Sequence, residues 1–91
     1  MLVARRILVS GRVQGVGFRW FALERASLEG ITGWVSNLPG GEVAVMAEGD
    51  AEAMGRFERA LRQGPRGARV DDVEIDILAP TGLFPTFTAR H

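Results

Sequence analysis

Two stretches of the chain alternate apolar and charged residues, the pattern of a strand with one covered face and one wet face. The clearer one is "VDDVEIDIL", at 70–78, where Val73, Ile75 and Ile77 alternate with acidic residues. The other is "EVAVMAEG", at 42–49. Its alternation predicts inward-facing Val43, Val45 and Ala47 and outward-facing Glu42 and Glu48.

Two other stretches have helical periodicity. In residues 19–30 the apolar side chains recur at helical spacing. The segment ends in Gly30, a residue suited to the left-handed conformation of a helix C-cap. Asp50 is a good N-cap for a second helix running to about Gln63. Its apolar stripe consists of Met54, Phe57 and Leu61.

The remaining elements complete a β-α-β-β-α-β order. "RRILVSG" at 5–11 and "TGWVSN" at 32–37 are predicted strands, and "TFTAR" near the end is a candidate for a short fifth strand. Right-handed crossovers place both helices on one face of the sheet. We therefore predict a single α+β domain over residues 1–91. Its fold is a ferredoxin-like split βαβ, a two-layer sandwich with an antiparallel sheet.

Composition excludes several classes of function. The net charge is zero, so no broad basic surface for nucleic acid or anionic membranes is expected. With no cysteine and one histidine, His91, disulfides, thiolate nucleophiles and multi-histidine metal sites are excluded. Arg5 and Arg6 interrupt the apolar N-terminal stretch, so we expect a cytoplasmic protein without a signal peptide or membrane span. The absence of lysine and the single asparagine fit a thermophilic source or a GC-rich genome equally well.

The candidate chemistry lies in "GRVQGVGFR", residues 11–19, between the first strand and the first helix. Backbone N–H groups in such a turn, at a helix N-terminus, can form a concave anion site. Glycines at 15 and 17 let an anion approach the backbone, and Arg19 offers a planar fork that matches phosphate. A tight turn with a solvated Arg19 explains the same residues, so both interpretations stay open.

Known nucleotide-binding motifs do not fit this loop. It has no Gly-Lys-Ser/Thr, and Trp20 stands where a third Rossmann glycine is required. No cysteine precedes it, so a phosphocysteine intermediate cannot form.

"GRVQGVGFR", followed by "GWVSNLPGGEV", "AEGD", "GP" and "ARVDDV", resembles the acylphosphatase family over nearly the whole chain. The resemblance implies a ferredoxin-like fold and hydrolysis of acyl phosphates to a carboxylate and inorganic phosphate, without metal or cofactor. It implies that Asn37, the only asparagine, orients the attacking water. It also implies that phosphate is held by the Arg19 side chain and by the loop amides of Gln14, Gly15, Val16, Gly17, Phe18 and Arg19.

The chain departs from the commoner family pattern just after Asn37. Leu38 and Glu42 stand where threonines are usual, so a supporting hydroxyl is expected to be missing. The reaction nevertheless suits the sparse residue set. A carboxylate leaving group with a pKa of about 4 needs no general acid at neutral pH.

Other residues have plainer interpretations. Asn37 before "LPGG" is also a common turn starter. The four aromatics near the motifs could form a stacking platform but are more typical of core: Phe18, Trp20, Phe21 and Trp34. The acidic residues Asp71, Asp72, Glu74 and Asp76 are expected on a solvated strand face. Arg12 is expected to add positive potential outside the direct contacts of the phosphate, and His91 to be solvated.

Two other functions remain open. The same fold serves non-catalytic ligand-binding and RNA-binding modules. RNA recognition would need aromatics on the central strands, where the chain instead has aliphatic residues. A detached acylphosphatase-like domain of a larger maturation protein is the other alternative. We expect a free, monomeric enzyme whose partners are a small acyl phosphate and its product phosphate, with no nucleic acid or membrane partner.

Overall fold

A computed structural model describes residues 1–91. The chain forms five strands and two helices in the order β1, α1, β2, β3, α2, β4, β5. Their bounds are β1 Leu2–Arg12, α1 Phe18–Glu29, β2 Thr32–Asn37, β3 Val43–Asp50, α2 Ala51–Gln63, β4 Arg69–Leu78 and β5 Phe87–Arg90. The predicted β-α-β-β-α-β order and ferredoxin-like α+β fold are confirmed.

The sheet has the strand order β4-β1-β3-β2-β5. The first four strands pair antiparallel, as predicted. β5 is different, because it adds to β2 in parallel. This parallel pair sets Arg90 opposite Ser36, one residue before Asn37.

The core lies between the sheet and the two helices. Ile7, Val45 and Val35 sit opposite one another on neighbouring strands and are almost completely buried. α2 supplies Met54, Phe57 and Leu61 to this layer, the stripe expected from its apolar spacing. Full burial of one such side chain contributes about 1.5–3 kcal/mol, so this layer is a major source of the fold's stability.

Both predicted helix caps form. The Asp50 side chain accepts a hydrogen bond from the Glu52 amide at 3.1 Å. Gly30 adopts the left-handed conformation, with φ 66° and ψ 28°. α2 begins at Asp50 because the carboxylate accepts from a free N–H of the first turn, and α1 ends at Gly30 because glycine tolerates positive φ.

The prediction that Glu48 faces solvent is wrong. Its side chain is only 2 % exposed and accepts hydrogen bonds from the Thr81 amide, the Thr81 hydroxyl and the Gly82 amide at 2.8–3.0 Å. β4 and β5 lie at opposite edges of the sheet, so residues 79–86 must cross it and cover this position. Burial by itself raises the pKa of the Glu48 carboxyl, but the Thr81 and Gly82 donors outweigh it and hold the pKa below its ordinary value.

The alternation in β4 also predicts burial of Ile77, near the C-terminal end of the strand, which the structure does not show. Val73 and Ile75 are half-buried and pack against the core, whereas Ile77 is 77 % exposed. β4 is an edge strand, and the end that carries Ile77 has no side chain in the core cluster. Alternation gives the face of a side chain but not whether a helix covers it.

Candidate active site

The three glycines of residues 11–19, one at the end of β1 and two in the loop before α1, have two different roles. Gly15 and Gly17 have φ of 73° and 78°, in the left-handed region that favours glycine, and a Cβ at either position would meet open space. Gly11 lies in β1, where a Cβ would collide with the Arg69 carbonyl of β4. Gly11 therefore allows close strand packing, whereas Gly15 and Gly17 shape an open turn.

The start of α1 has no internal cap. Gly17, at the N-cap position, has no side chain to offer, and the first turn has no acidic residue. The backbone N–H groups of residues 15–20 donate no hydrogen bond within the protein. Free N–H groups at a helix N-terminus, together with the positive end of the helix dipole, make a site suited to an anion.

A cavity of about 210 Å³ lies at this loop. Its lining has one cationic side chain, Arg19, and no carboxylate, thiol or imidazole. The lining residues are Val13, Gly15, Gly17, Phe18, Arg19, Trp20 and Asn37.

Arg19 is held from the far end of the chain. Its Nη1 donates to the Arg90 carbonyl at 3.0 Å and lies 3.0 Å from His91 Nδ1. The Arg90 guanidinium lies over the Trp34 ring, 4.5 Å from its centroid. β5 therefore fixes one nitrogen of the Arg19 guanidinium. His91 is exposed, as expected, and its ring also contacts Arg19.

Asn37 ends β2 at the wall of the cavity. Its side-chain oxygen, Oδ1, is buried and has no hydrogen-bond partner within the protein. A buried acceptor without a partner is rare in native proteins, because the lost hydrogen bonds with water are not replaced. Asn37 also lines the cavity, so an acceptor that lacks a partner within the protein lies at its wall.

Gln14 connects the loop with the turn that follows Asn37. Its Nε2 donates to the Leu38 carbonyl at 2.8 Å and to the Glu42 carbonyl at 2.9 Å. The turn closes on itself through the Leu38 amide, which donates to the Glu42 carbonyl at 2.8 Å. The two positions that lack a threonine hydroxyl thus present their backbone carbonyls to Gln14.

The sequence matches a family model described as "Acylphosphatase" over residues 5–89. The chain belongs to the acylphosphatase family. It is 46% identical over 88 residues to an acylphosphatase of Anaeromyxobacter dehalogenans, with coverage of 97% of this chain and 95% of the relative. It is 51% identical over 76 residues to one of Thermus thermophilus, with coverage of 84% and 86%. The fold also matches the crystal structure of acylphosphatase from Bacillus subtilis, with a TM-score of 0.95 and 35% identity. The match covers 100% of this chain and 100% of that chain.

The structure brings together five of the seven site residues predicted for this acylphosphatase. They line one cavity: Gly15, Gly17, Phe18, Arg19 and Asn37. Gln14 and Val16 do not line it. The Gln14 side chain reaches the turn after Asn37, and the half-buried Val16 packs against the core.

Sequence reasoning missed two features of this acylphosphatase. The contact of Arg19 with Arg90 depends on β5 pairing in parallel with β2, and no local pattern near Arg19 indicates that pairing. Trp20, expected to be core, is 70 % exposed at the rim of the cavity. Its helix turns Phe18 and Ala22 to the core, which leaves position 20 outside.

The remaining charged candidates lie outside the cavity. Arg12 is exposed and does not line it. The acidic side chains of β4 are exposed, as predicted: Asp71, Asp72, Glu74 and Asp76. No group of three or more His, Asp or Glu side chains is arranged to hold a metal ion. Neither helix has the length and apolar character needed to cross a membrane.

Proposed function

We propose that this acylphosphatase hydrolyses carboxyl-phosphate anhydrides to a carboxylate and inorganic phosphate, with the residues of the 210 Å³ cavity carrying the reaction. One observation carries the proposal. Unpaired backbone N–H groups, a guanidinium and an orphaned amide oxygen meet at a single cavity. The first two suit a phosphoryl group, and the third suits a water beside it.

Phosphate binding is assigned to the loop and to Arg19. The free N–H groups of residues 15–20 can donate to the phosphoryl oxygens, while positive φ at Gly15 and Gly17 keeps side chains out of the space. The Arg90 carbonyl occupies only Nη1 of Arg19, so the other guanidinium nitrogens remain for the phosphate. These donors are held before substrate arrives, which favours stabilisation of charge in the transition state.

Asn37 is assigned the role of orienting the attacking water. Its Oδ1 accepts a hydrogen bond from a water, whose oxygen attacks phosphorus in line with the bond to the acyl oxygen. The phosphorus–acyl oxygen bond breaks, and the carboxylate leaves with the bonding electrons. The water's proton passes to an oxygen of the transferred phosphate, so no protein base is required.

The lining supports a selectivity for the leaving group. An alkyl phosphate leaves as a poor alkoxide and needs a proton donor, and the cavity offers no ordinary general acid. An acyl phosphate leaves as a stable carboxylate and needs none. The family's acyl phosphate chemistry therefore matches a cavity that has donors for phosphate and no ordinary general acid.

The test is hydrolysis of acetyl phosphate and of an alkyl phosphate monoester in excess chelator. We expect the acyl phosphate to be cleaved at an unchanged rate in chelator and the monoester to be almost inert. Loss of acyl phosphate hydrolysis in chelator, restored by a divalent cation, would contradict the proposal. Equal rates on both substrates would contradict the assigned leaving-group chemistry.

The monomeric state is likewise proposed. The groups assigned to phosphate and to water all meet within one copy of the chain, and the proposed reaction uses no group from a second copy. Activity per chain that stays constant on dilution, with a monomer mass by light scattering, is the expected result.

A further inference from the structure

A second concavity adjoins the phosphate cavity along α1. It has a volume of about 290 Å³ and is lined by Trp20, Leu23 and Glu24. These residues stand at i, i+3 and i+4, so they share one face of the helix. Trp20 is the one residue that lines both cavities, so the two meet at this residue.

Trp20 is unusual for a large apolar side chain. It is 70 % exposed, whereas Phe18, two residues earlier, is 2 % exposed and belongs to the core. It takes part in none of the ring–ring or cation–π contacts of the protein. An exposed tryptophan beside a binding cavity is a common anchor for an apolar or aromatic ligand group.

The geometry of the reaction directs the acyl group away from the phosphate donors. The donors of the phosphate cavity all suit the phosphoryl group, and the leaving oxygen stands in line with the attacking water. The acyl group must therefore extend out of the polar cavity. Trp20 and Leu23 are the apolar surface that adjoins the phosphate cavity along α1.

We propose that Trp20 and Leu23 form a subsite for the acyl group of the substrate, and that it selects uncharged apolar or aromatic acyl groups. The proposal rests on the proposed function. Glu24 is exposed at the same concavity and makes no ion pair, so its carboxylate disfavours acyl groups with a negative charge of their own. The sequence reveals no acyl pocket because these three residues look like an ordinary helix surface.

The first experiment compares kcat/KM for benzoyl phosphate and acetyl phosphate in the wild type and in Trp20→Ala. We expect the benzoyl-to-acetyl ratio to fall roughly five- to tenfold in the variant, mainly through KM for benzoyl phosphate. Trp20→Phe should restore most of the ratio. Leu28→Ala is the matched control, since Leu28 is 72 % exposed on the same helix and lines neither cavity. An unchanged ratio in Trp20→Ala, or an equal fall in Leu28→Ala, would overturn the subsite.

The second experiment tests the charge selection with butyryl phosphate and succinyl phosphate. These differ by a terminal carboxylate. In Glu24→Gln we expect kcat/KM for succinyl phosphate to rise about two- to threefold relative to butyryl phosphate, the size of an exposed charge interaction. The gain should shrink at high salt. An unchanged ratio would remove Glu24 from the selection.

A binding measurement separates failure of the subsite from failure of the function. Benzylphosphonate and methylphosphonate are not hydrolysed, and their Kd values can be compared by calorimetry. We expect benzylphosphonate to bind more tightly in the wild type and to lose that advantage in Trp20→Ala. Equal affinities in the wild type would overturn the subsite even if acyl phosphates are hydrolysed. Absence of hydrolysis with the binding difference intact would instead contradict the proposed function.

Discussion

The two helices of this acylphosphatase begin in opposite ways. At α2, Asp50 has φ −63° and ψ 144°, and its carboxylate accepts from the Glu52 amide. The Met1 carbonyl accepts from the Ala51 amide at 2.9 Å, and Glu52 adds negative charge to the first turn. At α1, Gly17 is left-handed, has no side chain, and no acidic residue follows it.

The free N–H groups of the first turn therefore find acceptors within the protein at α2 and find none at α1. A free helix start costs stability, since capping interactions contribute about 1 kcal/mol in many proteins. The unmet end coincides with the cavity that contains Arg19 and Asn37. From this contrast we infer that the start of α1 serves binding, as proposed above, whereas the start of α2 serves the stability of the fold.

The largest effect is expected from Arg19→Lys at the α1 end. Lysine keeps the charge but loses the planar fork and the fixed position beside the Arg90 carbonyl. We expect kcat/KM to fall about 10²-fold or more, with weaker inhibition by inorganic phosphate. Near-normal kinetics and phosphate inhibition would show that the loop amides alone hold the anion.

Asn37→Ala should affect turnover and leave binding in place. The α1 end and Arg19 remain, so inorganic phosphate should still compete with substrate. The water loses its acceptor, and we expect kcat to fall about 10²-fold. A variant with a lower Tm but full activity per folded molecule would return Asn37 to the role of turn starter.

Gly15→Asp places a carboxylate of the protein itself beside the free N–H groups at the start of α1. Gly15 has open space beside it and φ of 73°, a conformation that aspartate and asparagine tolerate better than most residues. The new carboxylate should weaken phosphate inhibition by about tenfold or more relative to Gly15→Asn, which has the same shape without the charge. Equal inhibition constants in the two variants would show that the α1 end does not bind the anion.

The smallest effect on catalysis is expected at α2. Asp50→Ala removes the cap, so Tm should fall by a few degrees while kcat/KM per folded molecule stays unchanged. The Met1 ammonium and then the Glu52 amide hold the pKa of Asp50 below its ordinary value. The stability difference from the wild type is therefore present at neutral pH and is lost as pH falls through that lowered pKa. A loss of activity in folded Asp50→Ala would contradict the assignment of the start of α2 to stability alone.

Local patterns predicted most of the fold because local chemistry determines it. β2 has the predicted bounds, 32–37, and the Asp50 and Gly30 caps form as expected. Each depends on a side chain or a backbone conformation within a few positions. The glycine loop was located for the same reason, since a left-handed turn needs glycine where it occurs.

The failures all involve contacts between distant segments. Glu48 is buried by Thr81 and Gly82, which no strand pattern near Glu48 can reveal. The support of Arg19 by Arg90 and the exposure of Trp20 depend on how β5 and α1 pack. Sequence could therefore indicate which residues meet at the site, but not what holds them or what surrounds them.

The hydrogen bond from Arg19 to the Arg90 carbonyl joins residues that are 71 positions apart. During synthesis the loop, α1 and Asn37 leave the ribosome well before β5. A nascent chain can thus contain every group assigned to phosphate and water while the guanidinium is still free to swing. The proposed reacting centre is therefore fully held only once β5 has paired with β2, so its completion depends on a strand that is made well after the loop and Asn37.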